Sequence, residues 1–74
     1  MVPLNSVLQG KIVKIVKIDA GKGFYQKLNN MGILTGDIVR VVNTTGGPIV
    51  ISKAGMRLAL GRGMSCKILV EEIS

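Results

Sequence analysis

The chain has no histidine and no tryptophan, and only one cysteine, one phenylalanine and one tyrosine among its 74 residues. Acids are scarce too: Asp19, Asp37, Glu71 and Glu72 face ten lysines and arginines. Each shortage removes a class of chemistry. Cys66 has no imidazole to activate it and no second Cys or His with which to share a metal. It is expected to serve as a small packing residue, and no internal disulfide can form. Glu71 and Glu72 are sequence neighbours, which on a strand point to opposite faces, so they cannot easily grip one ion together or form a catalytic dyad. The Gly21-Lys22-Gly23 triplet lacks the spacing and the Ser/Thr of a P-loop. The expectation is a protein that is not an enzyme, with no metal site and no cofactor.

Long apolar runs are also missing. None approaches the roughly 20 residues that span a bilayer. Met1-Val2-Pro3 leads into polar Asn5-Ser6, without the basic and apolar regions of a signal peptide. A cytoplasmic protein with no membrane insertion is expected, reaching a membrane only through a partner.

What the chain does have is aliphatic residues, glycine and positive charge. Apolar residues make up 47% of the sequence, enough for one small core, so residues 1–74 are read as a single domain. The net charge of +6 favours an anionic partner. Glycines punctuate short β-branched segments, and Lys11 to Ile18, Asp37 to Asn43, Ile49 to Lys53, Arg57 to Leu60 and Cys66 to Glu71 all read as strands. Strands this short and this closely spaced imply a mainly β domain, economically a closed or nearly closed barrel.

One segment carries a helical period. Phe24, Leu28 and Met31 fall on one face between Lys22 and Met31 and are expected in the core. The helix should end at Gly32 in the left-handed conformation, with Ile33 reaching back to Leu28. Its start is weak, because Gly21 and Gly23 are poor caps. Gly36 suits a type II turn in Leu34–Asp37, Gly47 and Pro48 belong to a hairpin loop from Thr44, and Ala54-Gly55 is a further turn. Gly61 to Ser65 has room only for a single 3₁₀ turn.

The stretch KIVKIVKI, Lys11 to Ile18, repeats every three residues, which suits neither a strand nor a helix. A β-bulge near Val16-Lys17 resolves it by inserting a residue and switching faces. Val13, Ile15 and Ile18 then point inward and Lys14 outward, with Ile12 and Val16 on the outer side beneath neighbouring cover.

The segments FYQKLNNMGILTGDIVRVV (24–42), GGPIVI (46–51) and LALGRGMSCKILVE (58–71) together resemble the FeoA proteins of bacterial ferrous-iron uptake. That family's pattern is a helix ending in Leu-Gly-Leu/Met/Ile, then x-Pro-Gly, a valine-rich strand, a Gly-Pro-Ile hairpin and a closing Ala-Leu-Gly-Arg segment. Met31 stands where the family often has Leu, Thr35 where it usually has Pro, and Ser65 where Ala is common. The resemblance implies an SH3-like barrel of about five strands with a short helix between the first two. It also implies a cytosolic accessory protein, a protein–protein interaction module acting on FeoB, a membrane ferrous-iron transporter with a cytosolic GTP-binding domain. Transition-metal binding is a term attached to the family, but no metal site follows from these motifs. A related domain closes metal-dependent repressors of the DtxR type, behind a helix-turn-helix and a dimerisation domain that 74 residues cannot hold.

Candidate partner-binding residues are the outward helix positions Tyr25, Gln26, Lys27, Asn29 and Asn30, with Lys14 and Arg40 on the strands. Gly32, Gly36, Gly47 and Pro48 are read as conformational. Two other readings follow from the same residues. A small basic barrel can bind nucleic acid, through Lys11, Lys14, Lys17, Arg40 and Lys53 on phosphates, but such barrels stack bases on aromatics, and only Tyr25 is free to do so. Weak self-association through strand edges or the helix is the other.

Overall fold

The computed structural model describes all residues, 1–74. A single antiparallel sheet holds six strands: β1 (Val2–Pro3), β2 (Ile12–Ile18), β3 (Ile38–Asn43), β4 (Ile49–Lys53), β5 (Met56–Leu60) and β6 (Ile68–Glu72). Their order across the sheet is β1-β6-β2-β3-β4-β5. The helix α1 (Lys22–Asn30) lies between β2 and β3, and α2 (Arg62–Ser65) between β5 and β6. The five expected strands are all present, and the sixth is the short β1, which pairs with β6 through Val2↔Val70 and Pro3↔Leu69. β1 therefore places α1 after the second strand of the chain, although it still joins the first two long ones. The hydrogen-bonded sheet stays open between β5 and β1. On that side α2 lies against the 3₁₀ turn Leu4–Ser6 that follows β1.

The core is wholly aliphatic, with fourteen buried residues drawn from every strand except β1, from Leu28 of α1 and Ile33 after it, and from Leu4 and Val7 at the 3₁₀ turn that follows β1. Leu28 of α1 and Ile33 just beyond it are both fully buried. Phe24 and Met31 are only half-buried and pack against the edge of the core, so the expected helical face contributes one complete core residue. Phe24 lies under the Lys67 ammonium, 5.6 Å from the ring centroid.

The bulge in β2 is present. β6 pairs with Ile15 through Val70 and with Lys17 through Leu69, so Val16 is the inserted residue. Val13, Ile15 and Ile18 face the core and Lys14 faces out. Val16 differs from expectation: as the inserted residue of the bulge it is exposed rather than covered.

The end of α1 is closed by its backbone. Gly32 has φ +85, its N–H donates to the Asn29 carbonyl at 2.9 Å, and the Ile33 N–H donates to the Leu28 carbonyl at 2.8 Å. These are the two bonds of a Schellman motif, with the Leu28–Ile33 contact seated in the core. At the other end Gly21 supplies no side-chain cap. Gly61 to Ser65 makes a single α turn rather than a 3₁₀ turn, with the Ser65 N–H donating to the Gly61 carbonyl at 2.9 Å. Ser65 is fully buried, and its hydroxyl donates to the Arg62 carbonyl at 3.1 Å. Cys66 is exposed rather than packed, because the α turn leads its side chain out of the core.

Candidate functional site

Three segments meet where α1 ends. The turn Leu34–Asp37 has Gly36 at φ +93, and the Asp37 N–H donates to the Leu34 carbonyl at 3.1 Å. The turn is held against the bulged β2 strand by the Gly36 N–H on the Ile15 carbonyl at 2.7 Å and the Ile15 N–H on the Asp37 carbonyl at 2.9 Å. The Asp37 carboxylate accepts from the Leu34 N–H at 2.8 Å and from the Lys53 ammonium of β4 at 2.7 Å. Lys53 also donates to the Gly32 carbonyl. One lysine thus ties the helix end, the turn and the β4–β5 hairpin together. Lys53, read from the sequence as a possible phosphate contact, is occupied by these bonds.

Burial alone raises the Asp37 pKa, but the Lys53 and Leu34 hydrogen bonds and the Lys53 charge outweigh it and hold the carboxyl below its ordinary value. Asp37 is therefore a structural anion. No three His, Cys, Asp or Glu side chains come together anywhere in the fold.

Beside this tie lies an open hollow of about 120 Å³, lined by Met31, Gly32, Lys53, Ala54, Met56 and Leu58. Small-molecule sites usually run to roughly 300–1,000 Å³. This one has room for a single aliphatic side chain. It exists because Met56 and Leu58 lie on the core-facing side of β5, which has no strand beyond it to cover them. Sequence reasoning missed the hollow, since nothing local in Met31 or Met56 shows that the two meet.

The sequence-selected residues separate into two patches. On α1, Tyr25, Gln26, Lys27 and Asn30 are exposed, Tyr25 at 39%. Asn29 does not face outward as expected: it is half-buried, and its Oδ1 is enclosed without a hydrogen-bond partner. The helix is rotated toward Leu28, which carries the adjacent position inward. Lys14 and Arg40 lie on the outer wall of the sheet, where Lys14 pairs with Ile38 and Arg40 with Ile12 across β2 and β3. They point away from the core that α1 covers, so they do not form one surface with the helix. Gly47 and Pro48 lie in the β3–β4 hairpin, where Gly47 has φ +141. That hairpin is anchored by Arg62, which donates to the Thr44 carbonyl at 2.7 Å.

Charge is unevenly spread. No acid occurs between Ile38 and Val70, while Arg40, Lys53, Arg57, Arg62 and Lys67 all do. Glu71 and Glu72 lie on β6 beside β2, and the Asp19 N–H bonds to the Lys67 carbonyl just before β6. The β3–β4–β5 side of the sheet is therefore basic.

A small SH3-like domain with a helix inserted after its first long strand, exposed basic walls and room for no more than one side chain in its hollow defines a class of compact, surface-acting β domains. Comparison with known proteins narrows this. The FeoA domain family matches residues 2–72, so the chain belongs to the FeoA family. It is 43% identical over 72 residues to a Methanocaldococcus jannaschii protein provisionally named Fe(2+) transport protein A, covering 97% of this chain and 88% of that one. Among solved structures, an iron uptake regulatory protein (FeoA) superposes with a TM-score of 0.88 at 35% identity, over 97% of this chain and 96% of the other. The manganese regulator SloR superposes with a TM-score of 0.85 at 16% identity, over 97% of this chain but 34% of its own, which is a likeness of fold.

Proposed function

We propose that this protein is a non-catalytic accessory module of ferrous-iron transport, acting in the cytoplasm by docking on the GTP-binding part of a FeoB-type membrane transporter. The observation that carries this reading is the family match along residues 2–72, supported by the 43% identity to a relative named for Fe(2+) transport. The surface is suited to the task. A net charge of +6, with Arg40 and Arg57 exposed on a side of the sheet bearing no free acid, steers the protein toward an acidic face. The exposed side of α1, with Tyr25, Gln26, Lys27 and Asn30, supplies an amphipathic contact of the kind that interfaces favour. Asn29, half-buried, supports the contact from beneath, and Lys14 and Arg40, on the sheet wall away from the helix, act by steering the approach.

The test is titration of the protein into the transporter's isolated cytosolic domain, and into the full transporter, at low and at roughly 0.15 M salt. Saturable binding that weakens with salt is expected. No binding to either form would overturn the proposal. Replacing Tyr25 with Ala and Lys27 with Glu should each weaken binding without changing the melting temperature.

A further inference from the structure

The two sides of β5 are unequally satisfied. The two-residue turn Ala54-Gly55 makes Lys53↔Met56 a hydrogen-bonded pair, and antiparallel alternation makes Ile51↔Leu58 and Ile49↔Leu60 hydrogen-bonded pairs too. Antiparallel alternation then turns the N–H and C=O groups of Arg57 and Ala59 toward the open edge. No backbone bond outside the sheet uses either residue, and both are exposed. The hollow between Met31, Met56 and Leu58 borders the same strand on its core-facing side. A free ladder and an apolar socket therefore lie together.

Three occupants compete. A polyproline segment needs an aromatic-lined groove. Phe24 is half-buried under Lys67, and Tyr25 lies on α1, so no such groove exists. A second copy would bring two chains of +6 together edge to edge, and repulsion opposes this. An extended segment carrying acids meets neither objection. Arg57 projects from the second position of the strand, beside the free Arg57 and Ala59 backbone groups, and the whole stretch from Ile38 to Val70 is free of acids. The Asp37 charge is balanced by Lys53 at 2.7 Å.

We propose that β5 accepts an extended, acidic segment of a partner protein as an added strand, with one of its apolar side chains seated in the hollow between Met31, Met56 and Leu58. The added strand takes the Arg57 and Ala59 backbone groups, and its outward acids meet Arg57. This assigns a peptide-binding edge to the fold, and it does not depend on the partner being the transporter.

The test uses a displayed library of random heptapeptides panned on the intact protein, with the bound peptide located by ¹⁵N chemical-shift changes. The enriched peptides should alternate apolar residues with Asp or Glu, and the shifts should centre on β5 and the hollow. Ala59→Pro removes the edge N–H without touching a bond to β4, and should lower affinity at least tenfold. Met56→Asp, at a side chain 63% exposed, should do the same by removing one wall and repelling the acids. Unchanged melting curves and spectra show that both variants fold. The proposal is overturned by no enrichment, by enriched peptides that both variants bind within twofold of the parent, or by β5 shifts that grow with protein concentration alone, which would make a second copy the occupant.

Discussion

The sheet has two ends, and they deal with an unpaired edge in opposite ways. β1 is only two residues long, and one of them is Pro3, which has no N–H to offer. The chain then leaves the sheet in a 3₁₀ turn, where the Ser6 hydroxyl donates to the Pro3 carbonyl at 2.8 Å and Leu4 is fully buried. β5 has five residues, with Met56 63% exposed and a single charge, Arg57, at its second position. Brevity, proline and cover are ordinary ways to blunt an edge, and a lone charge is a weaker one. One edge is finished off by the fold, and the other is left available.

The comparison is sharpest in stability. Leu4→Ala should cost about 2–5 kcal/mol, a large share of the stability of any small domain. Met56→Ser should stay within about 0.5 kcal/mol. Urea denaturation of both variants measures this, and equal losses would erase the distinction between the edges.

Smaller effects probe the tie beside β5. Gly32→Ala should destabilise by about 1 kcal/mol or more. No atom lies within 4 Å of the added methyl, so the cost is that of a left-handed residue with φ +85. Asp37→Asn should cost up to about 1 kcal/mol by loosening Lys53, and with it the β4–β5 hairpin, from the turn. Its pH dependence has a definite sign. The folded pKa of Asp37 is lowered, so its contribution is present above the unfolded value, about 4, and is lost as pH falls through the folded one. Wild type and Asp37→Asn should therefore differ in melting temperature at neutral pH and converge in acid.

One effect has the opposite sign. Ala54 is the one non-glycine residue with positive φ, at +51, in the two-residue turn that starts β5. Ala54→Asn should stabilise by roughly 0.5–1 kcal/mol, since Asn tolerates this conformation and favours such turns. A melting temperature raised by several degrees would show it.

Much of the fold was legible because it is written locally. The threefold period of Lys11 to Ile18 has no regular solution, and the bulge at Val16 is where the structure resolves it. Leu28, Gly32 and Ile33 form their helix stop from adjacent backbone alone. Less was legible where a residue's role depends on distant chain. Val2-Pro3 carries no strand pattern of its own and becomes a strand because β6 lies beside it. The outward placement expected of Asn29 failed because packing of Leu28 sets the rotation of α1. The packing expected of Cys66 failed because Ser65 takes the buried position.

The aliphatic core, the strand segments, the left-handed turns and the excess of positive charge follow from residue type and spacing along a few neighbours. It takes the folded chain to bridge Asp37 and Gly32 through Lys53, to bring Met31 against Met56 and Leu58, and to cover one edge of the sheet while leaving the other open. Those outcomes join residues that lie 16 to 21 positions apart for Lys53 with Asp37 and Gly32, and further apart for Met31 with Met56 and Leu58, and the closing of such loops is set by how the whole core packs.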